Sequence, residues 1–311
     1  LSKKFTRKRY TLPRANIYMD ETLKNLTKGT LIALTGILVG IAISIVIKML
    51  TTNVNLVTIL FYRFLFSLPL LIGFSLFACG AQFYLINDKL VMFLRVVFGI
   101  SGLVFWILAI KTLSLGLATA LFHSSVLFVT FLAPIFLNER TTIISFLASL
   151  TGLFGVFLLT NPLSENFSIN VIFGVCSAIC GACLSVSLRK LGKTDHPATV
   201  ALIYNLFGAI TIGLVIVAKP ALLVRPSVEE FSLLVILGIL VSITQILLTN
   251  AYYFLDAVVV SCLGYLRVPL AALTAFILFS ETLSKVEILG ATVIVASSCL
   301  ILFQSSRQKN I

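Results

Sequence analysis

Two arginines stand well inside long apolar segments of this chain, where charged residues are rare. Arg63 lies about 12 Å into segment 55–79, and Arg267 lies near the middle of segment 256–279, at 1.5 Å per helical residue. A charge near the centre of a bilayer costs several kcal/mol, so it usually faces a cavity or another helix. Guanidinium groups bind carboxylate or phosphate through paired hydrogen bonds. We therefore expect both arginines to bind an acidic group of a ligand; the alternative is that they bind backbone carbonyls at a broken helix.

Further polar and aromatic residues on apolar segments complete a candidate ligand site. His123, on segment 116–137, is expected to act as a neutral hydrogen-bonding group rather than as a titrating one. Lys48 and Arg95 lie nearer segment ends, and we expect them to anchor at the membrane interface. Segment 231–250 and the two residues after it carry a polar stripe, which must face protein or water. The stripe consists of Ser242, Gln245, Thr249 and Tyr252. The predicted substrate-binding residues are Arg63, Trp106, His123, Tyr204, Asn205, Gln245, Tyr265 and Arg267.

The residues that would support enzyme chemistry are missing from the apolar segments. None of the 11 acidic residues stands in the middle third of a segment, which leaves a carboxylate proton relay and a bound cationic drug unsupported. Cys176, Cys180 and Cys183 share one helical face, but no histidine or carboxylate joins them, so packing is a better explanation than a metal site. We expect no catalytic residues, no metal and no cofactor.

Composition indicates a polytopic membrane protein. Hydrophobic residues make up 59% of the 311 positions and charged residues 11%, whereas soluble domains are about a quarter charged. A membrane-spanning helix needs about 20 apolar residues. Ten such runs occur, at about 30–50, 55–79, 90–111, 116–137, 141–161, 169–188, 197–218, 231–250, 256–279 and 285–304.

The second half of the chain resembles the first, displaced by 142 residues. Three polar coincidences share this offset, namely Lys48 with Lys190, Tyr62 with Tyr204, and Glu139 with Glu281, and His123 aligns with Tyr265. Each copy holds five spans, an odd number, so the second copy enters the bilayer from the opposite side. We predict an all-α fold of ten transmembrane helices in two inverted five-helix repeats, an arrangement typical of secondary transporters. The predicted segments are a basic tail (1–27), two repeats (28–160 and 170–302) and a C-terminal tail (303–311).

The distribution of basic residues predicts the orientation. With the N-terminal end cytoplasmic, 15 Lys and Arg residues lie on the inner side and four on the outer side. We therefore expect both termini in the cytoplasm, in a bacterial inner membrane. The basic tail is expected to attract anionic lipid rather than nucleic acid, although a transit peptide is an alternative. The expected partners are the lipid bilayer and a small-molecule substrate, and the protein is a monomer or a homodimer.

Several short motifs resemble the EamA-type branch of the drug/metabolite transporter superfamily. They are residues 109–113 (AIKTL) followed by 133–140 (APIFLNER), their echo at 268–270 (VPL) and 279–282 (FSET), and residues 61–64 (FYRF). The resemblance implies a ten-helix inverted-repeat fold with a central cavity walled by spans 1, 3, 4, 6, 8 and 9. The first copy departs from the pattern, since Leu127 stands where the second copy has Pro269.

The resemblance implies a transporter but does not select a substrate. From the two arginines we expect an amino-acid-like or other carboxylate-bearing metabolite, carried by alternating access. The alternatives are an exporter of drugs or of nucleoside- or nucleotide-type metabolites and, less favoured, a channel or a membrane-embedded enzyme.

Overall fold

The computed structural model describes residues 14–50, 54–113, 121–139, 141–160, 169–279 and 284–308. These residues are helical or lie in short connections, and none of them forms a strand. The α-helices are α1 (Arg14–Leu50), α2 (Leu56–Cys79), α3 (Lys89–Thr112), α4 (Ser125–Leu137), α5 (Ile143–Thr160), α6 (Val171–Thr194), α7 (Pro197–Ala218), α8 (Val228–Phe254), α9 (Ala257–Leu263), α10 (Arg267–Phe279) and α11 (Lys285–Gln308).

Seven of the described helices are long and apolar enough to cross a membrane, namely α1, α2, α3, α6, α7, α8 and α11. Three shorter apolar helical stretches, Leu121–Leu137, Ile143–Leu158 and Ala257–Leu270, coincide with predicted spans four, five and nine. The all-helical membrane fold is therefore confirmed, while the number of ten spans stays a prediction. Helix α1 begins at Arg14, inside the segment that we expected to be a tail.

Polar residues at the helix starts explain several boundaries. Asn55 and Asp88 accept hydrogen bonds from the backbone three residues later, which caps α2 and α3. The starts of α5 and α11, 142 residues apart, are capped alike: Thr142 accepts from the Ser145 backbone N–H, and Ser284 accepts from that of Glu287.

The most extensive contacts join helices of opposite halves of the chain. Helix α1 packs on α8, α3 on α6, α2 on α7, and α5 on α11. The fourth helix α4 also contacts α9. Applying the 142-residue offset exchanges the first two pairings and maps the α2–α7 and α5–α11 pairings onto themselves. The contact pattern therefore follows the repeat seen in the sequence.

Small residues allow close approaches between helices. A Cβ added to Gly155 on α5 would lie 2.9 Å from the Gly290 carbonyl oxygen on α11. A Cβ on Gly238 of α8 would lie 2.4 Å from Cβ of Phe66 on α2. Close backbone contact is a main source of helix association in lipid, so these glycines are needed for packing.

The polar stripe on α8 faces protein, as predicted. Ser242 donates to the Ser67 carbonyl at 3.0 Å, and the Tyr252 hydroxyl donates to Ser185 Oγ at 2.9 Å. The cysteine trio on α6 is partly buried and unbridged. No cluster of three His, Cys, Asp or Glu side chains suited to a metal occurs among the described residues.

Candidate functional site

The fourth apolar helix of each half is interrupted at equivalent positions. Residues 121–123 are helical, Ser124 forms a turn, and α4 follows; in the second half a 3₁₀ turn, Gly264–Leu266, separates α9 from α10. Three-residue hydrogen bonds replace the α-helical ones, from Ser124 N–H to Leu121 O (3.1 Å) and from Leu127 N–H to Ser124 O (3.0 Å). Such breaks in membrane helices are tolerated where they line a cavity or contact protein.

An aromatic row lies beside the two breaks. We use this name for Trp106, Phe122, His123 and Tyr265, whose ring centroids are separated by 6.4, 5.7 and 5.8 Å in that order. Tyr265 is fully buried, and its hydroxyl donates to the Ser149 carbonyl at 3.1 Å. His123 and Tyr265 are equivalent under the 142-residue offset, so their contact marks the place where the two halves meet.

Arg267 begins α10 directly after the break. Its Nη2 donates to the Gly40 carbonyl at 2.9 Å and to Ser44 Oγ at 3.0 Å, both on α1. The residue as a whole is exposed. Among the described residues no carboxylate pairs with it. One nitrogen of this arginine therefore binds a backbone carbonyl, although that carbonyl belongs to the continuous helix α1 and not to a broken helix.

Arg63 extends from α2 toward the same region. Its guanidinium carbon lies 5.3 Å from the Phe64 ring centroid, and Nε is buried without a hydrogen-bond partner. It lies close enough to Arg267 and to Tyr204 for electrostatic interaction. Two guanidinium groups near one another, without a described carboxylate between them, form a region of positive potential.

Arg95 is buried in the bundle, so the prediction of an interfacial anchor was wrong. Only 1% of the residue is exposed. Its guanidinium carbon lies 4.5 Å from the Tyr204 ring centroid, and Nη2 donates to Gln245 Oε1 at 3.3 Å. Nε is buried without a partner. The side chain turns inward because α3 packs on α6 and contacts α7, which places Arg95 against Tyr204 instead of lipid.

The structure divides the remaining predicted site residues between two positions. Tyr204 and Gln245 join Arg95, and Tyr204 also contacts Phe64 with ring centroids 6.0 Å apart. Asn205 is fully buried between α7 and α2, where its Oδ1 accepts from Ser67 Oγ at 3.2 Å and its Nδ2 donates to the Ala201 carbonyl. Its amide is therefore engaged within the protein.

An inner ion-pair network lies at the end of the bundle that carries the short 138–142 and 255–256 connections. Arg189 pairs with Glu139 and with Asp256, the latter at 2.7 Å, and its Nη1 donates to the carbonyls of Tyr252 and Tyr253, each at 2.9 Å. Glu139 also accepts from the Ala257 backbone N–H. The network thus connects the ends of four apolar segments. These pairings were not predicted from the sequence. Glu281, the repeat partner of Glu139, lies outside the described residues, as does the Lys48 side chain.

Family comparison agrees with this architecture. The model of the EamA-like transporter family matches residues 26–161 and again residues 168–303. The chain belongs to the EamA-like transporter family. The two matches cover most of the chain and correspond to its two halves.

Named relatives transport different small metabolites. An S-adenosylmethionine uptake transporter of Rickettsia bellii is 25% identical over 93% of this chain and 98% of its own length. A riboflavin transporter of Brucella anthropi is 27% identical over 68% of this chain and 76% of its own length. The pseudopaline exporter CntI of Pseudomonas aeruginosa strain UCBPP-PA14 is 25% identical over 70% of this chain and 75% of its own length.

A crystal structure supports the fold independently. It superposes with a TM-score of 0.78 and covers 91% of this chain and 99% of its own, at 19% sequence identity. At that identity the similarity shows the fold alone. The family match therefore makes this chain a member of a transporter family whose named relatives carry small metabolites.

Proposed function

We propose that this protein carries a carboxylate-bearing metabolite across the membrane by alternating access, with the acidic group bound by Arg63 and Arg267. The observation that carries the proposal is the pair of central guanidinium groups without a carboxylate partner among the described residues. A buried or partly buried charge is costly unless something pairs with it. A substrate carboxylate would supply the missing counter-charge.

The aromatic row supplies the second half of the proposed site. Trp106, Phe122 and His123 are partly exposed, whereas Tyr265 is buried behind them. Ligand pockets commonly combine apolar or aromatic walls with a few polar groups that fix orientation. We propose that the row receives a ring or apolar part of the substrate while the arginines hold its acidic end. S-adenosylmethionine has both parts.

Alternating access is proposed from the repeat architecture. The pairings α1 with α8 and α3 with α6 exchange under the offset, as expected for two copies related by a two-fold axis in the membrane plane. We propose ten spans in two inverted repeats, 28–160 and 170–302, with both termini in the cytoplasm of a bacterium and the protein in its inner membrane. The ends carrying Glu139 and Asp256 then lie on the cytoplasmic side.

A binding screen on purified protein tests the substrate class. The panel contains S-adenosylmethionine, glutamate, phenylalanine and malate, each beside an analogue in which the carboxylate is removed or amidated, and riboflavin as a ligand without a carboxylate. We expect at least one carboxylate compound to raise the melting temperature and its neutral or decarboxylated analogue to fail. Stabilisation by riboflavin alone, or equal stabilisation by a compound and its decarboxylated analogue, would refute the carboxylate assignment.

Transport itself is tested with the compound that binds. Proteoliposomes preloaded with unlabelled compound should accumulate the radiolabelled compound by saturable counterflow, which a carrier performs. Arg267→Ala should abolish counterflow without changing the elution profile of the purified protein. Single-channel currents without counterflow would indicate a channel instead.

A further inference from the structure

Arg95 is an incompletely paired charge in the interior of the bundle. Its hydrogen bond to Gln245, at 3.3 Å, is long for a guanidinium, and Nε has no partner among the described residues. Burial of an ion costs several kcal/mol unless close pairing compensates for it. The Tyr204 ring, 4.5 Å away, provides a cation–π contact but no negative charge. The described contacts therefore leave Arg95 short of a counter-charge.

The depth of Arg95 differs from that of the other two arginines. It is the seventh residue of α3, about 9 Å from the inner end of that helix at 1.5 Å per residue. Arg63 is the eighth residue of α2, about 10 Å from the outer end. Arg267 lies between them, at the break before α10. The three guanidinium groups are thus distributed across the membrane.

The inner and outer arginines are not related by the repeat. Under the 142-residue offset Arg95 corresponds to Leu237 and Arg63 corresponds to Asn205. One arginine, Arg95, therefore lies on the inner side of Arg267, and another, Arg63, lies on its outer side. The two come from different helices of the first half. This arrangement does not follow from duplication, so it needs a reason in the function of the site.

Arg95 also lies across the boundary between the halves. It belongs to α3, while its contacts Tyr204 and Gln245 belong to α7 and α8 of the second half. In this conformation Arg267 is exposed and Arg95 is buried. A motion of one half against the other that opens the inner side would separate these contacts and uncover the guanidinium.

We propose that Arg95, positioned by Tyr204 and Gln245, is a second anion-binding residue, which contacts the substrate carboxylate when the site opens to the cytoplasm. This inference rests on the proposed carboxylate substrate. In the outward-facing arrangement the carboxylate is held by Arg63 and Arg267. In the inward-facing arrangement it is shared between Arg267 and Arg95, and Gln245 releases Arg95 for that contact.

Sided kinetics in proteoliposomes of one orientation test the inference. The probe is radiolabelled S-adenosylmethionine or, where wild type does not transport it, the glutamate, phenylalanine or malate that passed the binding screen. Arg95→Gln should raise KM at the cytoplasmic face about 10-fold or more, as expected for loss of a charge-assisted hydrogen bond. The KM at the outer face should change less than about threefold, judged on that same scale.

Arg63→Gln is the matched control, with the opposite expected pattern: a raised KM at the outer face and a small change at the inner face. Gln245→Leu keeps the Arg95 charge but removes its hydrogen-bond partner, and it should alter the inner KM alone. This second variant carries the test if Arg95→Gln does not fold.

Two outcomes overturn the inference. The first is an equal change of KM at both faces in Arg95→Gln, and the second is a lowered melting temperature with neither KM changed, which would make Arg95 structural. Wild-type behaviour separates this failure from failure of the proposed function. If wild type transports no carboxylate compound, both proposals fall; if it does and the sided effect is absent, only this one does.

Discussion

The inner ion-pair network holds together the end of the bundle that carries Glu139 and Asp256, which we propose to be the cytoplasmic end. Arg189→Ala removes four hydrogen-bonded contacts at once, to Glu139, to Asp256 and to the carbonyls of Tyr252 and Tyr253. The two carboxylates then lose their shared counter-charge. We expect this single change to favour opening of the inner end.

The magnitude follows from the burial of the partners. The Arg189 and Glu139 side chains are 10% and 11% exposed. Breaking a buried pair costs about 3–5 kcal/mol. The lower end applies here because Asp256 is 32% exposed and Lys193 stays 3.7 Å from Glu139. About 3 kcal/mol corresponds to a factor of about 150 in the equilibrium between closed and open inner ends.

Cysteine labelling measures this equilibrium. Ser145 is 8% exposed and lines a small cavity beside Glu139 and Asp256. In a background without native cysteines, Ser145→Cys should react slowly with a charged thiol reagent added from the cytoplasmic face. Adding Arg189→Ala should accelerate that reaction up to about 150-fold, the factor worked out from the broken pair.

Lys190 provides the control on the same helix. Lys190 is 48% exposed and its one ion pair, with Asp88, is 3.7 Å long, so it contributes about 0–1 kcal/mol. Lys190→Ala should change labelling less than about fivefold, given that weak pair. Arg189→Lys keeps the charge but loses the planar fork, and it should fall between the two. Equal labelling rates in Arg189→Ala and Lys190→Ala would show that the network does not hold the inner end closed.

Three further predictions concern packing and the site. Gly238→Ala forces a Cβ to 2.4 Å from Phe66, so it should lower the melting temperature by the equivalent of about 1–3 kcal/mol. In the control Gly73→Ala, the added Cβ meets nothing within 4 Å, so the melting temperature should not change. Equal effects of the two substitutions would contradict the packing. Arg267→Ala should abolish transport and Arg267→Lys should retain part of it, both with near wild-type melting temperatures; unchanged kinetics in Arg267→Ala would remove this residue from the site. Tyr265→Phe loses a buried hydrogen bond worth about 1 kcal/mol and should still transport, so abolished transport at an unchanged melting temperature would assign the hydroxyl a direct role.

The helical membrane fold and the repeat were predictable because both leave strong patterns in the sequence. Apolar runs of about 20 residues can satisfy their backbone groups in lipid only as helices. The 142-residue offset paired His123 with Tyr265, and the structure places those two rings in contact. The offset also extends to features not singled out beforehand, such as the matching caps at Thr142 and Ser284.

The direction of individual side chains was not predictable. Both the lipid-facing and the core-facing sides of these helices are apolar. The sequence therefore gives little indication of which side of a helix faces the core. Arg95 therefore read as an interfacial anchor although it points inward. Asn205 was predicted to bind substrate, whereas the structure shows its amide hydrogen-bonded to Ser67 and Ala201. The pairing of Arg189 with two carboxylates joins residues distant in sequence, and nothing in their local spacing indicates it.

The contact between His123 and Tyr265 has a consequence for how such a protein can diversify. In a homodimer of identical half-length subunits, a position on the symmetry axis meets its own copy, so the contact is restricted to like residues, His with His or Tyr with Tyr. In one continuous polypeptide the two positions can mutate separately, and here they have become an imidazole and a phenol. The two sides of that axis are therefore chemically distinct, which a symmetric dimer would be unable to offer.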